Sequence, residues 1–86
     1  DSAPMPTTTL TAAQFENGAI GVMNLLVACG LRASNGEARR LIQQGGVTIN
    51  DKKVESIDAA FDQADFAGDG VIIKKGKKVY HKAVVQ

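Results

Sequence analysis

Residues 30–54 read G-L-R-A-S-N-G-E-A-R-R-L-I-Q-Q-G-G-V-T-I-N-D-K-K-V, and a change of period inside this stretch decides the fold. Ser34, followed three residues on by Glu37, has the pattern of a capping box, in which the serine oxygen takes a backbone N–H of the first helical turn. Ala38, Leu41 and Ile42 then recur at helical spacing, and Gly45-Gly46 ends the run. Asn35-Gly36 is a hairpin signal in other contexts, but the helical spacing after it argues against a turn here. From Val47 the period falls to two. Val47 and Ile49 alternate with polar neighbours, Asn50-Asp51-Lys52 reads as a turn, and Val54 begins a return strand.

Working outward, Val22, Leu25, Leu26 and Cys29 make an apolar stripe at i, i+3, i+4 and i+7. Gly30 stands at the left-handed stop position and Leu31 supplies the hydrophobic contact of a helix end. Thr11 with Gln14 forms another capping pattern, predicting a short helix from Ala12 to Glu16 that Asn17-Gly18 closes. Residues 1–10 hold both prolines and three consecutive threonines and read as an extended tether, leaving 11–86 as the domain. On the other side, Asp62 and Asp65 cap a short turn reaching Phe66, and Asp69-Gly70 is a turn. Val71–Lys75 and Lys78–Val85 then flank Gly76 as a hairpin. The expected class is α+β: two main helices, with short helical turns, on a small antiparallel sheet.

Composition narrows what such a domain can do. Its 86 residues suffice for one small core and leave little interior for an enclosed active site. A single Cys excludes an internal disulfide framework and a cysteine-cluster zinc site. With one His and no Trp, no acid–base or nucleophile pair stands out, so catalysis by this chain is not expected. No apolar run approaches the ~18 residues of a membrane span, and no signal-peptide layout opens the chain, so the expected location is the cytoplasm. The net charge of +1 conceals an asymmetry. Residues 51–70 carry six acids against two lysines, whereas residues 71–86 carry five lysines and no acid.

The strongest candidate surface is the third helix, where Arg39, Arg40, Gln43 and Gln44 lie opposite the buried stripe. Guanidinium forks and carboxamides there suit phosphates and base edges, and the alternative is a solvated face with Glu37 paired to Arg40. Lys74, Lys75, Lys77 and Lys78 around Gly76 form a second candidate, readable equally as a solubilising turn. Lys52 and Lys53 extend that surface if adjacent, and otherwise only occupy a turn. Cys29 on its apolar stripe reads as a small buried hydrophobe. His81 and Tyr80 read as sheet packing, with RNA contact or base stacking as the lesser reading. The acidic stretch 55–69 has no calcium-loop spacing and reads as a solvated face or a protein contact.

Gly30 to Val54 resembles the RNA-binding domain first named for ribosomal protein S-four, the alpha-L motif. The tail V-I-I-K-K-G-K-K-V-Y-H-K-A-V-V and the segment L-L-V-A-C-G-L behind its Pro-Thr tether are similar to the C-terminal domain of bacterial-type tyrosyl-tRNA synthetases. Together these similarities cover nearly residues 5 to 85. The resemblance implies a domain that grips tRNA, tRNA-Tyr above all, at its long variable arm and anticodon stem. Carried over by position, the RNA-facing residues are Ser34, Asn35, Arg39, Arg40, Gln43, Lys52, Lys53, Lys74, Lys75, Lys77 and Lys78. No cofactor or metal is expected in this domain. The resemblance further implies that ATP and tyrosine belong to a catalytic domain in cis, outside this chain, in a homodimeric parent. Asp51 departs from the family, which usually places Gly after the Asn of that turn. Rival readings are an S-four-like module of an rRNA-modifying or ribosomal protein, and a protein-interaction module using the acidic 55–69 face.

Overall fold

Among the described residues two α-helices and seven strands form in the order β1 (Thr7–Leu10), β2 (Ala19–Gly21), α1 (Val22–Ala28), α2 (Asn35–Gln43), β3 (Val47–Ile49), β4 (Lys52–Lys53), β5 (Ala60–Asp62), β6 (Val71–Lys75) and β7 (Val79–Val85). The computed structural model describes residues 5–85. Five strands make one sheet in the order β1-β7-β6-β3-β4, while β2 and β5 pair in a separate two-stranded ribbon.

The helices begin and end where local chemistry directs. Ser34 Oγ accepts the Glu37 N–H at 3.3 Å, opening α2. At the end of α1, Gly30 turns to φ +74° and the Leu31 N–H reaches back to the Leu26 carbonyl at 3.0 Å. Gly45 does the same for α2 at φ +74°, with the Gly46 N–H on the Leu41 carbonyl at 3.1 Å. Both are Schellman ends, and in both a left-handed residue without a Cβ satisfies carbonyls that otherwise face no donor. The stripes bury as read. Val22, Leu25, Leu26 and Cys29 of the first helix meet Ala38, Leu41 and Ile42 of the second. Both lie over Val47, Ile49, Val71, Ile73 and Ala83 of the sheet, in a single core. Each fully buried leucine there contributes roughly 1.5–3 kcal/mol.

Several expectations need correction. Strands precede the helices as well as follow them. Thr7–Leu10, expected as part of the tether, forms a strand parallel to β7, and Leu10 is completely buried. The rest of that tether, residues 1–4, lies outside the described residues. The helix expected over Ala12–Glu16 is only a 3-10 turn, Ala12–Gln14, with Gln14 Oε1 accepting the Thr11 N–H at 2.9 Å. Phe15 is already extended there, and its ring meets Phe66 edge-on at 5.6 Å. Asn17-Gly18 is therefore a hairpin turn and not a helix end. Both residues take positive φ, +55° and +85°, while Glu16 and Ala19 exchange backbone bonds at 2.7 and 3.0 Å. The return strand after Ile49 starts at Lys52 instead of Val54, because Asn50 (φ +51°) and Asp51 (φ +69°) complete the turn alone. Asp51 thus holds the left-handed conformation for which glycine is the usual choice. Asn50 also locks the neighbouring strand, its Oδ1 accepting the Ile72 N–H at 2.9 Å.

The hairpin around Gly76 forms, its second strand starting at Val79 and not at Lys78, and the turn Gln63–Phe66 forms as read, with Asp62 and Asp65 capping each other at 3.0 Å in both directions.

Candidate nucleic-acid interface

The exposed side of α2 carries Arg39, Arg40, Gln43 and Gln44, all solvent-facing, opposite the buried Ala38, Leu41 and Ile42. Two residues of the carried-over set have structural partners as well. Ser34 caps the helix through Oγ, and Asn35 Nδ2 donates to Asn24 Oδ1 at 3.1 Å, tying the start of α2 to α1. Each keeps further hydrogen-bonding capacity, a hydroxyl proton on Ser34 and a carbonyl oxygen on Asn35.

Adjacency of helix and hairpin, which sequence leaves open, is settled by two backbone carbonyls. The Leu31 carbonyl accepts Arg32 Nη1 at 3.2 Å and Lys75 Nζ at 3.4 Å, drawing a cation from the inter-helix loop and one from β6 to a single oxygen. The Gly46 carbonyl accepts the Gly76 N–H at 2.8 Å, fastening the hairpin turn to the end of α2. Arg32 further shares a cleft of about 250 Å³ with Glu37, Arg40, Leu41 and Gln44. Arg32, Arg40 and Lys75 therefore stand on one side of the molecule, with Lys77 and Lys78 exposed on the turn beside them.

A second cleft, of about 260 Å³, flanks the far end of α2 and brings Lys53 to Gln43, Gln44 and Gly45. Lys53 lies so close over Gly45 that a Cβ at that position would stand 2.7 Å from Lys53 Cε. Its ammonium thereby approaches the helix C-terminus, where the helix dipole favours a cation. Lys52, one residue earlier, is exposed and pairs with Ile49.

The hairpin lysines do not all share one side. Lys75 belongs with Val47 and Val79 on the helix-facing side of the sheet, whereas Lys74 pairs with Thr48 and Tyr80 on the other. Lys74 Nζ rests 5.5 Å from the centre of the Tyr80 ring. Sequence reasoning overlooked Arg32, whose signal was an arginine placed immediately after the helix-stop Leu31. Tyr80, read as packing with base stacking as the lesser reading, lies across from Lys74 and is 43% exposed.

His81 and Cys29 lie inside. His81 Nε2 is hydrogen-bonded to Thr8 Oγ1 at 2.7 Å, and burial pulls its pKa below the ordinary value. Burial pushes the Cys29 thiol up, partly offset by the Thr8 hydroxyl. Neither is placed to react with an outside molecule. Among the described residues no three His, Cys, Asp or Glu side chains group to hold a metal, and no helix is long and apolar enough to cross a membrane.

Two helices on a small sheet, with arginines on the second helix and a lysine hairpin fastened to its end, define an S-four-like α+β module. Within that class the match is specific. The chain belongs to the family described as Tyrosine--tRNA ligase SYY-like C-terminal domain, which matches residues 3–83. Curated relatives named tyrosine–tRNA ligase agree with it. Those of Acetivibrio thermocellus and Lachnoclostridium phytofermentans are each 46% identical, over 91% and 93% of this chain. That of Rhizobium meliloti is 45% identical over 86%. The chain spans about a fifth of the length of these relatives, 18–20%.

Proposed function

We propose that this domain binds tRNA, and tRNA-Tyr in particular, for a tyrosine–tRNA ligase whose catalytic domain is joined to it in cis. The observation that carries the reading is the junction at Leu31 and Gly46, which merges the arginine face of α2 with the lysine turn into one basic surface. Ser34, Asn35, Arg39, Arg40, Gln43 and Lys53 along the helix, with Lys75, Lys77 and Lys78 from the hairpin, make up the surface offered to a phosphate backbone, with Arg40 lining one cleft and Gln43 and Lys53 the other. Shape and phosphate spacing of a structured arm, such as the long variable arm and the adjoining anticodon stem, give such a surface its selectivity.

The net charge of +1 sets the scale of affinity. A chain so nearly neutral has little long-range attraction for RNA, so the isolated domain binds at ~10⁻⁵ M. Joined to a catalytic body that holds the acceptor end, it acts at an effective concentration near ~1 mM and raises total affinity ~10²-fold. Tyrosine and ATP are used by that body, in a cytoplasmic homodimer, and this domain supplies grip without chemistry.

An NMR titration with tRNA-Tyr at about 100 mM salt, beside a tRNA lacking the long arm, tests the reading. Shifts at Arg39, Arg40, Gln43 and the Gly76 turn with the long-armed RNA alone are the expected result. Equal shifts with both RNAs reduce the function to general RNA binding. Shifts confined to residues 55–69 transfer the site to the acidic stretch and overturn the proposal.

A further inference from the structure

Strand parity divides the hairpin between two surfaces, and the one facing away from the helices has a composition of its own. Along β6 and β7, Val71, Ile73, His81 and Ala83 point into the core. Ile72, Lys74, Tyr80, Lys82 and Val84 therefore stand on the outer face. Register aligns Thr48, Lys74 and Tyr80 as one row across β3, β6 and β7. Lys82 lies across from Ile72 in the next row, with Thr7 of β1 on its other side. Among the described strand residues of this face every charged side chain is a lysine. Tyr80 is 43% exposed, unusual for a large ring on a sheet, and Lys74 Nζ sits 5.5 Å from its centre.

We propose that this outer face is a second RNA contact, separate from the α2 surface, in which an unpaired nucleobase stacks on Tyr80 while Lys74 and Lys82 meet the flanking phosphates. The inference rests on the RNA-binding reading above and deepens it. An exposed aromatic ring accepts any base, and lysine stems two residues away along a strand, or directly across it, bring ammonium groups to the adjoining backbone. The lysine over the ring fixes its orientation and places a cation beside the stacked base. A row without carboxylates suits a polyanion, and the aromatic ring favours nucleic acid over an acidic protein. Duplex RNA offers no free base, so the expected ligand is a loop, bulge or single-stranded segment.

Tyr80 is the only tyrosine of a chain without tryptophan, so its intrinsic emission reports on this one position. The test titrates this chain with a short single-stranded RNA, a blunt RNA duplex and poly-glutamate, correcting emission for absorbance and following binding by anisotropy of labelled RNA. Quenching by the single strand, and not by duplex or poly-glutamate, is expected. Tyr80→Ala should weaken single-strand binding roughly fivefold or more while Tyr80→Phe retains it. In Arg39→Ala/Arg40→Ala the quenching should persist, because the two surfaces are separate. Unchanged emission from RNA-bound protein, or equal affinity of Tyr80→Ala, overturns the platform and leaves the α2 surface standing if the arginine variant loses binding. Equal quenching by poly-glutamate reduces the face to an anion or acidic-protein contact and also overturns the proposal. Absence of binding to any RNA defeats both readings.

Discussion

The Gly76 N–H and the Gly46 carbonyl meet at 2.8 Å, joining the tip of the lysine hairpin to the residue that closes α2. That bond fixes how far the hairpin cations stand from the helix arginines. It is made by backbone alone, so side-chain changes on the surface leave the frame intact.

The first prediction follows from that independence. Arg39→Ala with Arg40→Ala should lower RNA affinity about tenfold or more and reduce the salt slope by roughly one for each phosphate that the variant no longer neutralises. Because both side chains face solvent, each should change stability by no more than about 0.5 kcal/mol. A circular-dichroism melt beside a binding isotherm at two salt concentrations checks both halves. Arg32→Ala should weaken binding in the same direction, since its guanidinium shares the cleft with Arg40.

Leu10 supplies the second. Its side chain is fully buried beside β7, so Leu10→Ala should destabilise the domain by about 2–5 kcal/mol, whereas Thr9→Ala, on an exposed position, should be nearly neutral. Urea unfolding of the two variants decides whether residues 7–10 belong to the fold or only lead into it.

Gly70 and Gly68 make a matched pair. Both have positive φ, +87° and +77°, so alanine at either carries a left-handed penalty of about 1–2 kcal/mol. At Gly68 the added methyl meets open space. At Gly70 it would collide with the Ala83 carbonyl of β7 and approach Val84 Cγ1 at 2.7 Å. Gly70→Ala should therefore lower stability by a further 1–3 kcal/mol or so, read as an unfolding temperature well below that of Gly68→Ala.

His81 gives the chain a pH dependence of definite sign. Burial holds the ring's pKa below 6.5 in the folded state, which favours the neutral imidazole. The stabilisation is present in full above the unfolded value and is lost as pH falls from there through the folded value. Unfolding free energy measured between about pH 7 and 5 should decline, and the decline should be smaller in His81→Gln, which cannot titrate there. A steeper decline in the variant would contradict the assignment.

Sequence carried the helical half of the fold because its signals are local. Ser34 with Glu37, Gly30 with Leu31, and Gly45-Gly46 each act within one turn, and the stripes of α1 and α2 repeat at a fixed spacing. The strand side was less legible. Thr7–Leu10 has the composition of a linker, and only contact with residues more than seventy positions away makes it a strand. Asn17-Gly18 fits a helix stop and a hairpin equally until Glu16 is seen bonded to Ala19. The candidate site divides the same way. Helical periodicity exposed Arg39, Arg40 and Gln43, but the opposite facing of Lys74 and Lys75 requires the register of β6 against β3 and β7. A cluster of four lysines conceals that parity when read as a run.

The pairing of β1 with β7 also sets a schedule for synthesis. In the sheet β1 has no neighbour but β7, and Thr8 must wait for His81, 73 positions later. At 5–20 residues per second that wait lasts about 4–15 s, during which Leu10 has no interior to enter. Burial of the first strand and closure of the lysine hairpin are then one event. A chain released before Lys82 is translated has neither, and is left with Leu10 exposed on an unpaired segment.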